Sequence, residues 1–132
     1  MSFIERVNQD PHFIFLIDGI GAGITALSLL LVLPNLPEVF TMPANILNYL
    51  GTIALVFATY SLCNFFLKLS KVKLLIRIIA SANLVYCLFS GLIVARLLSQ
   101  LSMLDVVYFL GEILIVCVLA IIEFRVSKSI QA

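Results

Sequence analysis

The sequence predicts an all-α polytopic membrane protein: an antiparallel four-transmembrane-helix bundle with both termini cytoplasmic, filling residues 1–132 as one domain. Three observations carry that prediction. Hydrophobic residues make up 63% of the chain and charged residues 11%, with a mean hydropathy of +1.20, far above the roughly half-apolar composition of soluble domains. Four apolar runs, about residues 13–33, 46–67, 74–95 and 104–124, each reach the ~20 residues a helix needs to cross a bilayer. Basic residues are unevenly placed: Arg6, Lys68, Lys71, Lys73, Arg77, Arg125 and Lys128 fall on one side of the implied topology and Arg96 alone on the other. The richer side is the cytoplasmic one.

The first span is expected to open at Asp10-Pro11, with Asp10 as N-cap and Pro11 as first helical residue, where a missing N–H costs nothing. Glu5, Arg6 and Asp10 precede it instead of a basic cluster, so it reads as a retained span and not a cleaved signal. Gly19-Ile20-Gly21-Ala22-Gly23 lies inside an apolar run and is no phosphate loop. Gly19 and Gly23 read as a small-residue packing surface for a neighbouring helix or a second copy. Asp18, Gly21, Ala22, Thr25 and Ser28 form the polar or small stripe of this span.

The proline-bearing segment from Pro34 to Pro43 is the outer loop, and Thr41 is expected to cap the second span. Thr52, Val56, Thr59, Tyr60 and Cys63 then form the inward stripe of that span. The turn Lys68-Leu69-Ser70-Lys71-Val72-Lys73 serves as the topology signal, with contact to anionic lipid head groups as the alternative. On the third span, Ala80, Asn83, Cys87, Ser90, Gly91 and Val94 share a face suited to close helix approach. Ser102-Met103-Leu104-Asp105 has capping-box spacing at the start of the fourth. Along it, Asp105, Tyr108, Glu112, Leu119 and Glu123 fall on one narrow arc.

A rise of about 1.5 Å per residue sorts the polar groups by depth. Asp18, Arg77, Glu123 and Asn64 form an inner belt; Asn83, Tyr86 and Glu112 form a deeper tier roughly 14–18 Å from the cytoplasmic ends. Glu112 is the most demanding of these, because a carboxyl in hydrocarbon costs several kcal/mol unless it is paired or neutralised. Its expected partners are Asn83 or a tyrosine hydroxyl. Asp18 has Arg77 as its candidate ion-pair partner, with Glu123 competing for the arginine and snorkelling to the surface as the third possibility. Asp18, Arg77, Asn83, Tyr86, Tyr108, Glu112 and Glu123 together make the candidate intramembrane polar site.

Cys63, Cys87 and Cys117 sit singly on three different spans with no Cys-x-x-Cys motif, so redox chemistry is not expected. His12 has no metal-ligand spacing around it, and neither a metal nor a cofactor is expected. No serine lies in a nucleophile elbow, and loops this short leave no room for an aqueous active site.

Phe15-Leu16-Ile17-Asp18-Gly19, Met42-Pro43, Ile78-Ile79-Ala80 with Asn83-Leu84-Val85-Tyr86-Cys87, and Tyr108-Phe109-Leu110 with Glu112 and Glu123 resemble a group of small uncharacterised bacterial four-span integral membrane proteins. The resemblance covers nearly the whole chain. It implies a bacterial inner-membrane location and the same four-helix arrangement, and no activity. A looser likeness to small multidrug transporters rests on four spans and Asp18 in the first. Their aromatic motif is absent, so no substrate residues carry over.

The expected function is that of a non-enzymatic structural or partner-binding module. Its partners are the lipid bilayer and itself or another membrane protein, with no nucleic acid. The alternative is a minimal proton-coupled transporter acting as a dimer, with Glu112 or Asp18 as the protonatable group.

Overall fold

Pro34 sets the shape of the first helix from its C-terminal end. Proline lacks an N–H and its ring crowds the carbonyl four residues earlier. In the computed structural model, which describes residues 10–68 and 70–130, helix α1 (Phe13–Leu27) accordingly widens into a π-helical turn at Ser28–Val32 and ends as a 3₁₀ turn at Leu33–Asn35. The other helices are α2 (Ala44–Leu67), α3 (Val72–Leu97, continued by a 3₁₀ turn at Leu98–Gln100) and α4 (Met103–Ser129). All four are long and apolar enough to cross a membrane, and no strand occurs among the described residues. Each predicted span lies within one of these helices. Most run past the predicted limits, α4 by five residues beyond Phe124.

Two helix starts differ from expectation. Regular α-helix begins at Phe13, because Asp10 instead closes a preceding turn: its Oδ1 accepts the His12 N–H at 3.1 Å and its carbonyl the Phe13 N–H at 3.0 Å. Thr41 does not cap α2. Pro43 holds the N-cap position without a side-chain bond, and Thr41 turns toward α4. The expected capping box of α4 is present, with Ser102 Oγ accepting from Asp105 N–H and the Asp105 carboxylate accepting from Ser102 N–H, each at 3.2 Å. Glu5 and Arg6 lie outside the described residues, as does Leu69.

Packing is strongest within two helix pairs, α1 along α2 and α3 along α4, while the pairs meet one another at few points. Two glycines allow the close approach of α1 and α2. A Cβ on Gly19 would sit 2.8 Å from the Leu62 side chain and 3.3 Å from its backbone nitrogen; one on Gly51 would sit 2.6 Å from Leu30 and 3.2 Å from Leu29 Cβ. Gly23, expected to share the Gly19 contact, faces open space.

The second-span stripe is also revised. Val56, Thr59 and Cys63 are exposed, and the buried face of α2 is Leu47, Leu50, Gly51, Ala54, Ala58, Ser61 and Asn64. The threonines did not need an inward position, because Thr52 and Thr59 hydroxyls donate to the carbonyls of Asn48 and Leu55 one turn back. An apolar face toward lipid costs nothing, so threonine polarity is a weak guide to the interior here.

Apolar clusters close the structure at both ends. Leu29, Leu33, Met42, Leu47, Leu50 and Phe109 pack toward the α1–α2 loop, whereas Ile14, Phe15, Ile76 and Ile79 pack at the opposite end. There, at the surface, Lys68 caps α2 in the left-handed conformation (φ 50°) and its Nζ lies 3.2 Å from Asp10 Oδ2. Partial burial pushes the Asp10 carboxyl up, but the bonds from Lys68 and His12 outweigh it and hold the carboxyl below its ordinary value.

Candidate functional site

Between the two apolar ends lie two polar layers and a cavity. The first layer draws one residue from each helix. Ser61 of α2 donates to Asp18 Oδ2 on α1 at 2.5 Å, and Asn83 of α3 donates from Nδ2 to both Asp18 Oδ1 and Glu123 Oε1 on α4, each at 2.9 Å. The Asp18 and Glu123 carboxyls are themselves neighbours. All four residues are buried. No basic side chain is paired to either acid among the described residues, and the neutral donors of Ser61 and Asn83 hold the layer.

This arrangement corrects two expectations. Arg77 forms no ion pair with Asp18 or Glu123; it is exposed, and its Nε lies 3.5 Å from Ser127 Oγ. A long guanidinium reaches water at little cost, while entering the interior would require stripping its hydration. Asn83 belongs to the Asp18 layer instead of pairing with Glu112, because the helices cross at an offset that depth along separate axes does not contain. Ser61 was absent from the expected site altogether. The signal for it was the stripe Ala54, Ala58, Ser61, small residues at helical spacing on the face that α1 approaches.

The second layer is built around Glu112, which is 7% exposed. The Tyr86 hydroxyl on α3 donates to Glu112 Oε1. The Tyr108 hydroxyl lies beside the same carboxyl and is also within reach of Ser28 on α1. Oε2 has no hydrogen-bond partner among the described residues. Of the two partners expected for Glu112, the tyrosine hydroxyl is the one present.

A cavity of about 440 Å³ spans from one layer to the other. Asp18, Asn83, Tyr86, Tyr108 and Glu112 supply its polar wall, and the remainder is apolar or small. Its mouth lies between α1 and α4, where the lining residues Gly21, Ile24, Val107 and Ile115 are also exposed. On the opposite side, between α2 and α3, a second groove of about 350 Å³ shares Phe57 and Tyr86 with the first. Those two rings, 6.0 Å apart at 64°, form the partition between them.

At the rim nearest the α1–α2 loop, Asp105 Oδ2 accepts from the Thr41 N–H at 2.7 Å and lies 2.8 Å from its hydroxyl, while Ser102 Oγ donates to the Val39 carbonyl at 2.6 Å. Loop and α4 are thereby fastened above the cavity as the Asp18 layer fastens the helices below it. The cysteines, expected to be isolated, include one close pair: the Cys87 thiol is beside Cys117 across α3 and α4 and lies 3.6 Å from the Ile113 carbonyl.

Comparison with protein-family models, curated proteins and solved structures gives no match for this chain. Its site is therefore interpreted from its own geometry.

Proposed function

We propose that this chain is a small non-enzymatic membrane protein that takes a small hydrophobic molecule from the bilayer into the cavity between its two helix pairs. The cavity is the observation that carries the reading. At about 440 Å³ it falls within the ~300–1,000 Å³ of small-molecule sites. A partner transmembrane helix, a cylinder about 10 Å across and 30 Å long, occupies over ~2,000 Å³ and does not fit within it.

The supporting frame is an antiparallel four-helix bundle in a bacterial inner membrane with both termini cytoplasmic. The distribution of basic residues supports the orientation, and the sequence resemblance supports the membrane. The Asp18–Ser61–Asn83–Glu123 layer and the Thr41–Ser102–Asp105 rim fasten the pairs at two levels. Between those levels the pairs stand apart. A guest enters laterally from lipid through the α1–α4 mouth, so it never crosses an aqueous route.

Gly111 offers a direct test, because it lines the cavity and a Cβ there meets nothing within 4 Å. The site admits a Cβ, and Gly111→Phe adds a ring's volume at the cavity wall. In nanodiscs, phenylbutanol should perturb the fluorescence of Tyr86 and Tyr108 in the wild type. The variant should need at least about tenfold more ligand at an unchanged melting temperature. Equal responses in the two proteins would remove the cavity from consideration.

A further inference from the structure

We infer that the guest is a hydrophobic amine in its protonated form, seated with its ammonium group against Glu112. The inference rests on the cavity reading above and adds the chemistry that the polar wall selects. Glu112 lines the cavity, is more than nine-tenths buried, and leaves Oε2 without a partner among the described residues. Tyr86 occupies the other oxygen. An apolar chamber in which one carboxyl oxygen is unsatisfied favours a guest that brings a polar group to it.

Charge narrows the class further. The wall contains Glu112 and Asp18 and no lysine or arginine, so an anionic guest meets two acids and no cationic side chain. A hydrocarbon leaves Oε2 unpaired. A hydrophobic ammonium ion satisfies it, and the rings of Tyr86 and Tyr108 add attraction for a cation near their faces. The apolar remainder of the wall holds the amine's hydrocarbon part.

The exchange balances with one proton. With no cation beside it among the described residues, a guest-free Glu112 carries its own proton as a carboxyl O–H. As the ammonium group docks, that O–H bond breaks and the proton leaves to water, so the carboxylate and the cation form a neutral pair. Other titratable groups facing Glu112 are Tyr86 and Cys87 from α3, Tyr108 on its own helix and, across the cavity, Asp18 from α1; α2 contributes only Ala54 and Phe57. Tyrosine and thiol groups stay neutral below about pH 8, and Asp18 is engaged with Ser61 and Asn83. Glu112 is the group that releases the proton.

The test uses the full chain in nanodiscs, with phenylbutylamine and neutral phenylbutanol as probes and a pH-indicator dye in weakly buffered solution. Wild type should release about one proton per amine bound and none with the alcohol, and amine affinity should rise roughly tenfold per pH unit. Glu112→Gln should weaken amine binding at least about tenfold and abolish proton release, and should weaken alcohol binding by less than amine binding. Glu112→Asp, which keeps the carboxyl, should retain proton release. Amine binding by wild type without proton release, or binding by Glu112→Gln within about twofold of wild type, overturns the inference while the cavity reading stands. Failure of both probes to bind wild type overturns the cavity reading and the inference together.

Discussion

Asn83 Nδ2 stands 2.9 Å from Asp18 Oδ1 and 2.9 Å from Glu123 Oε1, one amide holding two carboxyls that arrive on different helices. Removing it leaves adjacent acids without their shared donor. Asn83→Leu should therefore cost about 1–3 kcal/mol in denaturant unfolding from detergent micelles. Asp18→Leu combined with Asn83→Leu should cost less than the two single changes added, with a coupling of at least about 0.5 kcal/mol. Strict additivity would show that the contact does not link the two helices energetically.

Tyr86 is the donor to Glu112 Oε1. Tyr86→Phe removes one intramembrane hydrogen bond and should cost about 0.6–2 kcal/mol. The infrared carbonyl stretch of Glu112 should move to higher frequency as its oxygen loses the donor. An unchanged band in Tyr86→Phe, with Glu112→Gln serving to assign it, would contradict the contact.

Asp105 joins three roles at the rim nearest the α1–α2 loop: capping-box partner, acceptor for the Thr41 N–H and neighbour of the Thr41 hydroxyl. Asp105→Ala should cost about 2 kcal/mol or slightly more, the upper range of a lost cap. Thr41→Val, which keeps the backbone donor, should cost less. Amide exchange should accelerate at Thr41 and Ser102 in the aspartate variant and remain unaltered near Glu123.

Gly51 and Gly23 provide a matched pair of glycines. A side chain at Gly51 runs into Leu30 and Leu29, whereas one at Gly23 meets open space. Gly51→Leu should lower stability by about 1–3 kcal/mol through overpacking, and Gly23→Leu should change it by less than about 0.5 kcal/mol. Similar losses at both positions would mean that α1 uses its Gly23 face in a contact between copies.

At the surface, Lys68 and the His12 N–H hold the Asp10 carboxyl below its ordinary value. A depressed carboxyl contributes stability above its unfolded value, and that contribution disappears as pH falls through the lower folded value. With both side chains nearly half exposed, solvent screening limits the pair to under about 1 kcal/mol. Asp10→Asn should be slightly less stable than wild type near neutral pH, should converge on it as pH falls through the lowered folded value, and should lie closer to it at high salt.

Long apolar runs and their end signals were readable along the chain because they depend on local composition: the four helices, the Ser102–Asp105 capping box and the inward face of α3 through Asn83 and Ser90. Glu112 and Tyr86 could be matched by depth alone, since they lie on neighbouring helices of one closely packed pair. Asp18, Asn83 and Glu123 could not, nor could the intrusion of Ser61, because a small difference in helix crossing moves a side chain by a full turn at this depth. For Arg77 the sequence leaves pairing with Asp18, pairing with Glu123 and reaching the surface open, because charge says that two groups attract, but side-chain length and access to water decide whether they meet.

The sequence by itself determined that this is a multi-pass membrane chain with acids in its spans, since transfer free energies into hydrocarbon are properties of each residue and its neighbours. Only the tertiary structure decided which acids share a donor, which carboxyl oxygen has no partner, and that the helix pairs stand apart around a cavity. Those outcomes depend on the positions of four helices relative to one another. Packing such as Gly19 against Leu62 and Gly51 against Leu30 sets these positions through contacts distant along the chain.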